Sequence, residues 1–145
     1  MAVRKLIGLG TTLSVKLTTA STTTYTAIGG LVSLPGPNAT ADDADVTTLD
    51  NSDNFKTFLR GQVDPGELSL TLAYGSTDAS SKKLGTALKD GALRTWKLTF
   101  SSTAVSAETF SGYVKGMGRE IAGAASMISR SVTIKVSGSP GFPST

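Results

Sequence analysis

Apolar and polar residues alternate singly along much of the chain, which is the period of a strand with one buried face. Leu13, Val15 and Leu17 alternate with Ser14, Lys16 and Thr18, and Trp96, Leu98 and Phe100 with Thr95, Lys97 and Thr99. The most regular stretch is Gly66 to Tyr74, where Leu68, Leu70, Leu72 and Tyr74 face one way and Glu67, Ser69, Thr71 and Ala73 the other. Thr24 to Leu34 reads as one strand with Gly29-Gly30 as a bulge or close backbone approach, stopped by Pro35-Gly36-Pro37-Asn38. Thr109 to Gly118 is extended but rich in glycine, and Ile128, Val132, Ile134 and Val136 line a last strand on which Arg130 is the exception.

At Asp78 the period changes to that of a helix. Leu84, Ala87 and Leu88 recur at helical spacing, Asp78 or Ser80 is placed to cap the N-terminus, and Gly91 is placed to stop it. Between Asn38 and Asp64 lie only short strand-like pieces, Asp45 to Leu49 and Phe55 to Arg60, around a turn at Asp50 to Asn54. Excursions of that length tend to be functional.

The expected organisation is a flexible arm over 1–11, one β domain over 12–137 with the excursion at 38–64 and the helix at 79–90, and a flexible tail over 138–145. No internal repeat is present. Runs of strands around one helix, without βαβ alternation, predict a mainly β fold: an antiparallel β-sandwich or barrel with one flanking α-helix.

Composition narrows the chemistry. The 145 residues hold no Cys and no His, which removes disulfides, thiol nucleophiles, the usual neutral-pH general base and the commonest transition-metal ligands. Mean hydropathy near zero places the chain among soluble globular proteins, and no apolar run approaches the roughly 18 residues of a membrane span. The opening MAVRKLIGLGTTLSVK begins like a secretory leader, but its apolar stretch ends at Gly10 and Lys16 follows, so no cleaved signal is expected.

The remaining chemical motifs have plainer readings. Ser80-Ser81-Lys82-Lys83 matches S-x-x-K only as a helix cap with solvated charges, without the companion motifs of a nucleophilic site. Asp42, Asp43, Asp45, Asp50 and Asp53 do not fit the spacing of a calcium loop. Nothing singles out a carboxylate pair for glycoside hydrolysis. Gly8-Leu9-Gly10 and Gly116-Met117-Gly118 lack the third glycine of a dinucleotide fingerprint. Lys82, Lys83, Lys89, Arg94 and Lys97 form a basic stretch without interleaved stacking aromatics, which favours a solvated or subunit-facing surface over nucleic-acid binding. Neither an enzymatic activity nor a cofactor nor a metal site is expected.

Charge is divided unevenly. From Asp42 to Glu67 seven acids face two bases, whereas the remainder carries twelve bases and four acids. Opposite patches on neighbouring copies of such a chain attract.

The run from Ile28 to Tyr74 resembles the tail tube (major tail) proteins of long-tailed, non-contractile bacteriophages, the lambda-like tail tube family. The likeness rests on Gly36-Pro37, the acidic linker, Asp45-Val46-Thr47, Asp50 with Ser52, the aromatic and basic piece Phe55 to Gly61, and Gly66-Glu67 opening an alternating strand. It continues through the helix ending near Gly91, the Trp96-Lys97-Leu98 strand, and the Phe110 to Gly118 strand with its Val-rich successor, covering roughly 24–137. Asn51 between the Asp and the Ser, and Pro65 before Gly-Glu, depart from the pattern.

The resemblance implies a structural virion protein. It would assemble as hexameric rings stacked into a tube, around a tape measure protein and between tail terminator and tail-tip proteins, in the host cytoplasm and then in the virion tail. Double-stranded DNA would pass without sequence-specific binding, and no membrane is involved. On this reading the excursion docks on the adjacent ring, with Asp42, Asp43, Asp45, Asp50 and Arg60 as charges and Val46, Leu49, Phe55, Phe58 and Leu59 as apolar anchors. Which strands line the lumen is left open; the hydroxyl-rich faces imply a wall of Ser, Thr and acids. The alternative from another class is a secreted or virion-surface β-sandwich binding module, an adhesin or decoration domain.

Overall fold

A computed structural model of the chain describes residues 8–17, 24–75, 79–102 and 105–143. Among these residues nine strands and one helix follow in the order β1 (Thr12–Val15), β2 (Thr26–Ile28), β3 (Leu31–Ser33), β4 (Thr40–Asp45), β5 (Phe58–Asp64), β6 (Glu67–Ala73), α1 (Ala79–Asp90), β7 (Arg94–Thr99), β8 (Glu108–Glu120) and β9 (Ser129–Ser137). The mainly β antiparallel fold with one helix is as the patterning predicts. Residues 1–7 of the expected arm, the proposed cap Asp78 and the last two residues of the tail lie outside the described residues.

Seven strands form one antiparallel sheet in the order β2-β1-β7-β8-β9-β6-β3. The two outermost strands, β2 and β3, are separated in the chain only by Gly29-Gly30. Three Cα steps reach at most about 11 Å. The two edges of the sheet must therefore lie near each other, so the sheet rolls over a single core. The stretch Thr24 to Leu34 is thus not one strand with a bulge: it makes both edges and crosses between them.

The core is built from the inward line of each strand. Leu13, Val15, Trp96, Phe110, Val114, Leu68, Leu70, Leu72, Val132, Ile134 and Val136 are buried together, and α1 adds Leu84 and Ala87. The alternation seen in the sequence is thus converted into one apolar interior. Two residues assigned to this line, Tyr74 and Ile128, are instead exposed, because they stand beyond the strand ends where the core stops. The indole of Trp96 is fully buried, and its Nε1 donates to the Gly112 carbonyl at 3.1 Å, so its polar atom is satisfied.

Two polar side chains tie the helix to this core. Ser80, a candidate helix cap, is buried inside α1, and its hydroxyl accepts the Gly29 amide at 2.9 Å, holding the crossover between the sheet edges. Arg94 is buried at the start of β7, where its guanidinium donates to the Leu17 carbonyl and to the Asp90 carboxylate at the end of α1. This removes Arg94 from the expected basic surface. Lys97 stays partly exposed, with its ammonium 5.4 Å from the centre of the Tyr25 ring and that of Lys16 at 5.0 Å.

Replacing Arg94 by Met, Arg94→Met, removes the charge-assisted bonds that join β7 to the end of α1 and to Leu17 just after β1. The expected loss is about 1.5–3 kcal/mol of folding stability, read from urea unfolding; an unchanged midpoint and slope would show that these bonds contribute nothing net.

Candidate functional site

β4 and β5 belong to a separate two-stranded sheet, and every residue from Asp42 to Asp64 is exposed. Their register pairs Thr40 with Asp64, Ala41 with Val63, Asp43 with Arg60, Ala44 with Leu59 and Asp45 with Phe58, with a bulge between Ala41 and Asp43. The strand pieces read from sequence, Asp45 to Leu49 and Phe55 to Arg60, are displaced: the ladder lies closer to the body, and residues 46–57 form the loop. Polar spacing in a solvated hairpin gives no buried face to fix its register, and this is where the sequence reading slipped.

The root of the hairpin is clamped at two glycines. Gly36 has φ +88°, and a Cβ there would stand 2.7 Å from the Glu67 carbonyl; Gly66 has φ +82°, and a Cβ there would run into the Asn38 carbonyl. The two chain segments cross at the hairpin base closer than any other residue allows. Charges reinforce the join. Lys135 on β9 donates to Asp64 at 3.0 Å, and Lys115 on β8 pairs with Glu67. The Gly66 amide donates to Asp64 at 2.8 Å, and this bond, with Lys135, holds the Asp64 carboxyl below the usual carboxylate value.

The tip is ordered by its own side chains. Asp45 accepts the Thr47 hydroxyl at 2.6 Å and the Thr47 amide at 3.0 Å, which lowers its pKa. The Thr47 hydroxyl accepts the Thr57 amide at 2.9 Å, and Val46 donates to the Thr57 carbonyl. Asn51 accepts the Asp53 amide at 3.0 Å and donates to the Phe55 carbonyl at 2.9 Å. The Asp50 carboxyl is likewise held low, first by the Thr48 hydroxyl. These bonds present Leu49 and Phe55 outward, Phe55 with 76% of its surface exposed.

All ten residues named from the sequence lie on this one hairpin: Asp42, Asp43 and Asp45 on β4, Val46, Leu49, Asp50 and Phe55 in the loop, and Phe58, Leu59 and Arg60 on β5. Beyond the root, Asp42, Asp43, Asp45, Asp50 and Asp53 outweigh Lys56 and Arg60, so the projecting part is acidic. Of the residues that hold the hairpin in place, Gly36, Gly66, Thr47 and Asn51 entered the sequence reading without that role, and Lys115 and Lys135 were missed. Gly36-Pro37 and Pro65-Gly66 flanking the excursion were the available signal for the root.

Among the described residues no group of three or more His, Cys, Asp or Glu side chains is placed to hold a metal ion. What the arrangement offers is an apolar, acidic, pre-shaped projection. The model of the family described as Lambda phage tail tube protein matches residues 9–143. The chain belongs to this tail tube family. It is a structural, non-enzymatic component of phage-like virion tails, which decides for the tube reading over the surface binding module.

Solved structures show the same fold. The SPP1 tail tube superposes with a TM-score of 0.68 at 13% identity, covering 92% of this chain and 77% of that one. The tail of the empty gene transfer agent particle, refined with C6 symmetry, gives 0.68 at 14%, covering 92% and 95%. The six-fold symmetrised anti-feeding prophage baseplate gives 0.70 at 9%, covering 95% of each chain. Among curated protein sequences none matches the chain.

Substituting Gly66→Ala forces a side chain into the left-handed region against Asn38. A loss of about 1–3 kcal/mol is expected, visible as an earlier urea midpoint; a wild-type midpoint would show that the hairpin base yields without strain.

Proposed function

We propose that this tail tube protein polymerises as hexameric rings stacked into a tube that conducts double-stranded DNA, with the β4–β5 hairpin as the contact between rings. The observation that carries the proposal is the hairpin itself. A two-stranded ribbon is marginal alone in water, yet this one projects Leu49, Phe55, Phe58 and Leu59 into solvent, outside a core that is already closed. Apolar anchors on a pre-ordered projection belong against another surface. Six-fold symmetry in the gene transfer agent tail and the anti-feeding prophage baseplate supports six as the ring number.

The acids on the hairpin steer it toward basic surface and fix register more than they add affinity. Tape measure, terminator and tip proteins would bound the length of the polymer. A conduit also needs a wall that does not hold its cargo, because each neutralised phosphate adds salt-dependent affinity, multiplied over many subunits. A lumen of Ser, Thr and acidic side chains meets that need.

Two experiments test this. Replacing residues 46–57 by Asn-Gly, a two-residue turn that suits the Asp45–Phe58 pair, is expected to leave a folded subunit that no longer forms tubes by electron microscopy. Tubes made by this variant would refute the hairpin's role. Assembled tubes should show no retention of duplex DNA at physiological salt in sedimentation; stable co-sedimentation would rule out the weakly interacting lumen.

A further inference from the structure

The inward lines of β6, β8 and β9 run past the end of the packed core. On β6 the line Leu68, Leu70, Leu72 ends in Tyr74, 47% exposed; on β8 Met117, which packs on the core, is followed by Arg119; on β9 Val132 is preceded by Arg130. Arg119 and Arg130 stand directly opposite in the β8–β9 register. With Ile121 and Ile128 beside the β8–β9 turn, these side chains line an open cleft of about 120 Å³. A cavity of roughly 150 Å³ takes a benzene ring, so the cleft is close to the size of one large apolar side chain.

Its electrostatics are unbalanced within the subunit. Two like charges directly opposite across a ladder destabilise each other. The ion pairs found among the described residues join Lys56 to Asp45, Arg94 to Asp90, Lys115 to Glu67 and Lys135 to Asp64, and neither Arg119 nor Arg130 is in them. The Arg130 guanidinium lies 5.0 Å from the centre of the Tyr74 ring, and its buried Nε has no hydrogen-bond partner among the described residues. An occupant that completes this cleft brings one apolar side chain flanked by carboxylates.

The hairpin tip has that composition, with Phe55 and Leu49 beside Asp50 and Asp53. Its position also suits it. The hairpin leaves the body at the Glu67 end of β6, through the Gly36–Gly66 clamp, whereas the cleft lies at the Ala73 end of the same strand, next to Tyr74. Seven residues of strand separate the two by about 20 Å. A projection at one end and a receptor at the other make a head-to-tail contact, which repeats without closing and builds a stack.

We propose that the cleft of Tyr74, Arg119, Ile121, Ile128 and Arg130 in one copy receives the hairpin tip of the next copy along the stack, with Phe55 entering the cleft and Asp50 and Asp53 meeting the two arginines. The proposal rests on the reading of the hairpin as the contact between rings and names the surface it meets.

Because the chain contains no cysteine, the variant carrying Phe55→Cys and Ile121→Cys reports this contact directly. Mild oxidation of assembled tubes should give a denaturant-resistant ladder reaching well past six subunits, while either single variant gives none. Tubes that dissolve into single subunits, or a ladder that stops at six, would overturn the assignment. If the double variant does not assemble, the charges decide: Arg119→Glu should abolish tubes and Asp53→Arg in the same chain should restore them. Normal tubes from Arg119→Glu alone, or no rescue, would equally defeat the proposal. Failure here together with loss of tubes on trimming 46–57 would leave the hairpin as the ring contact and move its receptor elsewhere. Tubes from the trimmed variant would remove the hairpin reading itself.

Discussion

The two edges of the main sheet are occupied by one short stretch of chain, and the rest of the molecule follows from that constraint. Thr26–Ile28 covers β1 and Leu31–Ser33 covers β6, with the crossing held by the Ser80 hydroxyl on the Gly29 amide. A rolled sheet with short strands at both edges has little free ladder to offer another chain. β4 and β5 stand outside it and pair with each other as a solvent-exposed hairpin.

Projection would be wasteful if the hairpin were loose, because a flexible segment loses its conformational freedom each time it docks. The structure counters this at both ends of the ribbon. Gly36 and Gly66 let the two strands cross at the root, Lys115 and Lys135 hold the acids there, and Thr47 and Asn51 knit the tip through local bonds. The bonds that order the tip use the same carboxylates that give it its charge, so shape and electrostatics are set together.

The body shows the complementary economy. Buried polar atoms are few and mostly employed in joining elements: Arg94 ties helix to strands, and Trp96 reaches Gly112. The Nε atoms of Arg94 and Arg130 both lack a hydrogen-bond partner among the described residues, but Arg130 also has a like-charged neighbour directly opposite and lines an apolar cleft. Groups left incomplete in a single subunit are where an assembly is expected to finish them.

Much of this was written in the sequence where burial imposes a period. Leu13 and Val15, Leu68 to Leu72, Trp96, and Val132 to Val136 face one core because a shift of one residue would turn each set into solvent, and Leu84 and Ala87 mark the helix for the same reason. The acidic excursion was also legible as a unit, because charge and Gly-Pro punctuation are local properties. Tertiary structure alone decided that Thr24 to Leu34 supplies two opposite edges, that Arg94 is interior, and that Tyr74 and Arg130 end in a cleft facing away from the hairpin root. Each of these depends on where a rolled sheet brings distant strands together, and no local pattern encodes that distance.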